Sequence, residues 1–159
     1  MSRAFVREDD QVPPEAPPEL KVSNLPNWVT PGGLRMIDAK IAELEAALAA
    51  GPDEAEEAWI HRDQRYWTHQ RASAQLAPPL PEAADQVAFG ARVTIARGDG
   101  PQETLDIVGE DEADPAAGKV SWASPLARAL TGAEVGDVVE LGERTPPVEI
   151  EVLAIAAIP

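Results

Sequence analysis

The chain has no cysteine, which rules out disulfide staples and thiolate metal sites and makes a reducing compartment the expectation. Basic residues are scarce: 13 Lys and Arg stand against 28 Asp and Glu, for a formal net charge of −15. A free-standing DNA or RNA binder needs clustered cations to neutralise phosphates, so direct nucleic-acid binding is not expected. An acidic surface suits docking on a basic protein partner, or plain solubility. Long apolar runs are also missing. None reaches the roughly 18 residues a membrane-spanning helix requires, and the opening MSRAFVREDD places charges where a signal peptide is apolar. A cytoplasmic, monomeric protein is the expectation. Nor is there a nucleophile elbow, a phosphate-binding loop or a dinucleotide fingerprint, so catalysis by the chain alone is not expected.

What is present divides the chain by composition. Ten of the 16 prolines gather in Val12 to Pro26, in Ala77 to Pro81 and at Pro146-Pro147, as punctuation between folded parts. Residues 1–28 read as a flexible, Pro-rich acidic tail. Residues 29–77 read as a helical hairpin, 78–85 as a Pro-rich linker and 86–159 as a second domain.

The hairpin follows from caps and spacing. Thr30-Pro31 is a helix start, with Thr as N-cap and Pro in the first turn. Leu34, Ile37, Ile41, Leu44 and Leu48 recur at three- and four-residue steps and predict an apolar seam ending at Gly51-Pro52. Asp53, Glu54, Glu56 and Glu57 then open a second helix at its positive dipole end. Its seam is either Trp59, Tyr66 and Ser73 or Ile60, Trp67 and Ala74, and spacing leaves the two open. Two helices joined by so short a turn form an antiparallel coiled-coil pair. Beyond the linker, Val87-Phe89, Arg92 to Ala96, Thr104 to Val108, Lys119 to Trp122, Val138 to Leu141 and Glu149 to Ile155 read as strands. Pro125 to Leu130 reads as one short helix capped by Ser124. The fold class is α+β: a helical hairpin, then a small twisted antiparallel sheet crossed by a helix.

Four blocks carry a family likeness. Val108-Gly109, the acidic run Asp111-Glu112-Ala113-Asp114-Pro115, Ser124-Pro125-Leu126-Ala127-Arg128-Ala129-Leu130 and Val135-Gly136-Asp137 stand in the order and spacing of the C-terminal domain of the bacterial Gre-type transcription elongation factors, which they resemble. Phe89-Gly90-Ala91 resembles that domain's lead-in, and Thr30-Pro31-Gly32-Gly33 the start of the family's hairpin. The resemblance implies an FKBP-like sheet domain, RNA polymerase as partner, and a hairpin entering the polymerase secondary channel. There an Asp and a Glu three residues apart help hold a Mg²⁺ with which the polymerase hydrolyses backtracked RNA. By position and spacing those would be Asp53 and Glu56, although the family's full tip run is absent. Arg128, Ser124 and Asp111 would lie on the docking side.

Competing readings stand beside each of these. The carboxylates after Gly51-Pro52 also serve as ordinary helix-dipole compensation. Glu110 to Asp114 lacks the glycine and terminal glutamate of a calcium loop and reads as a solvated turn. His61 and His69, eight residues apart on one helix, are about 12 Å from each other and cannot share a metal unaided. Trp59, Tyr66 and Trp67 at helical spacing are expected in a core. The arms are also short for the family. A short hairpin without the tip run resembles the regulator of nucleoside diphosphate kinase, which implies polymerase binding without cleavage and competition for the channel. A third reading is an adaptor for a non-polymerase protein, such as a nucleotide-metabolising kinase.

Overall fold

The computed structural model describes residues 15–143 and 145–159. The expected tail lies outside the described residues over 1–14, and from Glu15 to Asn27 it runs without helix or strand. It is nevertheless held to the body, where Glu19 pairs with Arg65 and where Asn27 bonds Gln70 and Gln75. The Arg65 guanidinium draws the Glu19 carboxyl below its usual range, in a pair that is fully exposed and screened by water. No helix among the described residues is long and apolar enough to cross a membrane.

A two-residue strand, β1 (Trp28–Val29), leads into α1 (Pro31–Ala49), α2 (Glu54–Ser73) and a second short strand, β2 (Gln75–Leu76). The Thr30 hydroxyl accepts the Gly33 N–H at 3.0 Å, so the expected cap is formed. At the far end Gly51 takes a φ of 73°, a left-handed conformation in which a Cβ is strained, and donates its N–H to Leu48 at 3.2 Å. α2 then runs back along α1, and Arg71 of α2 reaches Asp38 of α1 at 2.6 Å. At the base β1 and β2 pair in parallel, Trp28 with Gln75 and Val29 with Leu76, and close the hairpin on itself.

The α1 seam forms as spacing predicts, with Ile37 fully buried and Leu34, Ile41, Leu44 and Leu48 half-buried. On α2 the stripe Ile60, Trp67 and Ala74 is half-buried at each position, as most of the α1 seam is. Trp59 is 50% exposed with the Arg62 guanidinium 4.5 Å over its ring, while Ile60, Tyr66, Trp67 and Ser73 are half-buried. The one buried residue of α2 is Gln70, which belongs to neither stripe. Apolar spacing misses Gln70 because polar groups from other parts of the chain, Asn27 and Asp111, cover it.

The second unit is a five-stranded sheet: β3 (Ala91–Arg97), β4 (Gln102–Val108), β5 (Lys119–Ser121), β6 (Val138–Leu141) and β7 (Val148–Ala157), in spatial order β5-β4-β3-β7-β6. Ala91, Val93 and Ile95 of β3 alternate into the core, as a half-buried strand should. They meet Leu105, Ile107, Ile150, Val152 and the inner face of α3 (Pro125–Leu130), where Ala127 and Leu130 are fully buried.

Two expectations need correction. The sheet is mixed rather than purely antiparallel, because β4 and β5 run parallel, Asp106 opposite Lys119 and Ile107 opposite Val120. A parallel pair requires the chain to leave the sheet and return. Here residues 109–118 make that excursion. Val87-Phe89 is not a strand either: Val87 is 1% exposed, but its N–H and carbonyl bond the turn after α3, to Ala133 and Gly132 at 2.9 and 2.8 Å.

Burial therefore differs between the two units. Truncating Leu130, 0% exposed, is expected to cost about 2–5 kcal/mol of stability, whereas Leu48→Ala, half-exposed near the turn, costs less. Urea unfolding of the two variants measures both. Equal losses would mean that hairpin and sheet share one core.

Candidate functional site

The turn at Gly51-Pro52 presents four exposed carboxylates, those of Asp53, Glu54, Glu56 and Glu57. Asp53 is the N-cap of α2, in extended conformation, and its Oδ1 accepts the Glu56 N–H at 2.8 Å. One oxygen of Asp53 thus serves the helix, and three further acids in the first turn compensate its dipole. Glu57 turns toward His61 at 3.3 Å. The second oxygen of Asp53 and the carboxylates of Glu54 and Glu56 are left as exposed oxygen donors. Among the described residues no group of three or more His, Asp or Glu is close enough to hold a metal ion, and His61 and His69 form no such group.

In the sheet domain, Ser124 is committed to structure, its Oγ accepting the Ala127 N–H at 3.2 Å as the α3 cap. Arg128, one turn on, is exposed and makes no ion pair among the described residues.

The loop after β4 is not a simple solvated turn. Asp111 accepts from the Tyr66 hydroxyl and from Gln70 Nε2, two α2 residues one helical turn apart on the same face. Glu112 accepts from the Thr30 hydroxyl, which in turn receives the Gly33 N–H. The loop thus grips both helices. α1 has no acid of its own in its first turn, so Glu112, arriving from the sheet domain, supplies the carboxylate that the helix N-terminus favours.

Missing side chains make this approach possible. A Cβ on Gly33 would sit 3.0 Å from Glu112 Oε1, and one on Gly109 would sit 2.4 Å from the Trp28 carbonyl oxygen. Beside the joint, Trp28 leans on Phe89 with ring centroids 6.5 Å apart. Asn27 Nδ2 donates to the Gln70 carbonyl at 2.9 Å and lies 3.1 Å from Ser73 Oγ.

A cleft of about 710 Å³ opens between this joint and the outer face of the sheet. Its walls include Leu80, Phe89, Val108 and Ile158, with Arg35 and Lys119 at its polar margin. Inside it, Arg92 and Asp106, partners across β3 and β4, form a two-pronged pair at 2.7 and 2.9 Å.

Spacing found the tip acids and the α3 cap. It missed Thr30, Tyr66, Gln70 and Glu112 as one assembly, because its members come from three distant segments. The available signal was glycine at both sides of the contact.

A family model described as transcription elongation factor, GreA/GreB, C-term matches residues 81–157. The chain is 47% identical over 97 residues to a transcription elongation factor GreB of Neisseria meningitidis serogroup A, covering 60% of each protein. It spans only that 60% of the Neisseria relative's length. It is 35% identical over 113 residues to a transcription elongation factor GreA of Rhizobium etli (strain CIAT 652), covering 64% of this chain and 72% of that one. Among solved structures, the GreA factor homolog 1 (Gfh1) protein of Thermus thermophilus aligns at 20% identity and a TM-score of 0.40, over 82% of this chain and 98% of that one.

Tyr66 offers a direct probe of the joint, since it is the only tyrosine in the chain. Burial, then the hydrogen bond to Asp111 and the charges of Asp111 and Glu110, push its pKa well above the usual value near 10. A raised folded-state pKa means that this contribution to stability is complete below pH ~10 and is lost as pH rises through the folded value. Phenolate absorbance should therefore rise later in the folded protein than in urea, and Asp111→Ala should bring the midpoint down. An ordinary midpoint in the folded chain would contradict the contact.

Proposed function

The chain belongs to the GreA/GreB family of transcription elongation factors, and on that premise we propose that it binds bacterial RNA polymerase at the secondary channel and stimulates cleavage of backtracked RNA. It acts as an accessory to the polymerase active site, with no catalysis of its own. The observation that supports this reading best is the exposed pair Asp53 and Glu56 at the turn of a two-helix arm whose base is fastened to the family's C-terminal domain.

The donor chemistry fits Mg²⁺, a hard cation that takes carboxylate oxygens and keeps open positions for others. Asp53 and Glu56 would supply two such oxygens, jointly with polymerase groups. Bound there, the ion would stabilise charge on a phosphoryl centre and on an attacking water. The work of this chain is to deliver and orient the two carboxylates. α1, with 19 residues, extends about 28 Å from the base, and the Asp53 cap fixes the start of α2 beside the turn.

Docking in this proposal rests on Arg128, whose guanidinium is free to meet an acidic partner surface. The Ser124 hydroxyl and the Asp111 carboxylate, expected on the same side, are engaged within the chain, Ser124 as the α3 cap and Asp111 with Tyr66 and Gln70.

A second reading keeps the polymerase and drops the chemistry. It is favoured by the commitment of Asp53 Oδ1 to the helix cap and by the modest length of the arm. In it, the hairpin occupies the channel and excludes other factors.

The test is RNA cleavage in a purified backtracked elongation complex with Mg²⁺. Wild-type protein is expected to accelerate it. Asp53→Asn combined with Glu56→Gln should lose about 100-fold of that acceleration, part of the several kcal/mol a metal site contributes. Asn is as good an N-cap as Asp, so the melting temperature should hold. Cleavage unaffected by the double variant would remove these residues from the role. Absence of stimulation, with suppression of another Gre factor's cleavage, would establish the competing reading.

A further inference from the structure

We infer that Asp111 and Glu112 are positioning residues, which set the direction in which the hairpin leaves the sheet domain and thereby place the tip carboxylates. The inference rests on the reading that those carboxylates act at a distant active site.

Several observations converge on it. Each helix of the hairpin is held by a different residue of one loop: α1 through Thr30 to Glu112, α2 through Tyr66 and Gln70 to Asp111. Two grips on two helices oppose rotation about either axis, which a single contact would permit. The loop that supplies them is the excursion forced by the parallel β4–β5 pair, so it is anchored in the sheet at both ends, by Val108 opposite Ser121 and by Asp106 opposite Lys119. On the hairpin side, β1 and β2 pair with each other and add no strand to the five-stranded sheet, so among the described residues no ladder of backbone hydrogen bonds joins the two parts. Gly109 lets the loop backbone meet the Trp28 carbonyl, and Gly33 lets the Glu112 carboxylate meet the start of α1.

Leverage then gives the joint its importance. On an arm of roughly 28 Å, a tilt of about 10° at the base moves the tip by about 5 Å. Misplacing reacting groups by as little as ~1 Å can cost on the order of 100-fold in rate. A loosened joint is therefore expected to spare binding and impair chemistry.

The absence of cysteine makes the direction measurable, since Ala49→Cys near the turn and Gln102→Cys on β4 provide two unique spin-label sites. In the full chain these labels should give one narrow distance distribution. Asp111→Ala with Glu112→Ala should broaden or shift it, whereas Asp111→Asn with Glu112→Gln, which retain an acceptor oxygen each, should largely restore it. Tyr66→Phe with Gln70→Leu attacks the joint from the hairpin side and serves if the alanine pair fails to fold. In the cleavage assay the alanine pair should lose about 10- to 100-fold in maximal rate at saturating factor. The concentration giving half-maximal effect should stay within a few-fold of wild type.

An unchanged distance distribution in both the alanine pair and the hairpin-side pair would overturn the inference. So would a broadened distribution with undiminished cleavage. If wild-type protein stimulates no cleavage, the proposed function fails, and the distances still decide whether this joint sets the hairpin's direction.

Discussion

The Glu112 carboxylate at the N-terminus of α1 is the contact on which the arrangement of this molecule depends. The first turn of α1 begins Pro-Gly-Gly, with no acid to meet the helix dipole and no side chain on Gly32 or Gly33 to block an approach. An N-terminus left so open attracts an anion, at a stabilisation of typically 0.3–1 kcal/mol and up to about 2 when partly buried. α2 has its own first-turn acids and needs none from outside. The contrast between the two helices explains why the sheet domain reaches α1 by its start and α2 by its side.

This contact relates features that otherwise look unconnected. The parallel pairing of β5 with β4 obliges the intervening chain to swing out of the sheet, and the swing carries Asp111 and Glu112 to the hairpin base. Gly109 lies against the Trp28 carbonyl because the swing begins there. Tyr66 and Gln70, polar residues on a helix of weak apolar pattern, find in Asp111 the partner that justifies their burial. Trp28 against Phe89 adds apolar contact at the joint, and the hydrogen bonds of Asp111 and Glu112 add direction to it.

Function, in the reading proposed, divides between the ends of the hairpin. The turn presents carboxylates to water, where they are free to meet a metal and a partner. The base uses carboxylates in the opposite way, as acceptors for donors in the same chain. Net acidity of −15 is compatible with both uses and identifies neither. A partner with a basic surface would be steered toward such a chain at long range, and specificity would come from groups such as Arg128, which makes no ion pair among the described residues.

Local chemistry determined much by itself. The caps at Thr30, Asp53 and Ser124, the stop at Gly51, the α1 seam and most strands follow from short-range preferences, which hold wherever the segment lies. The acids at the turn are legible for the same reason, since adjacent residues place them there. The tertiary structure alone decided the parallel strand, the position of Val87 outside the sheet, the exposure of Trp59 and the role of the acidic loop. Each depends on which distant segment supplies a partner. A carboxylate in a loop looks the same in sequence whether it faces water or a threonine hydroxyl 82 residues away.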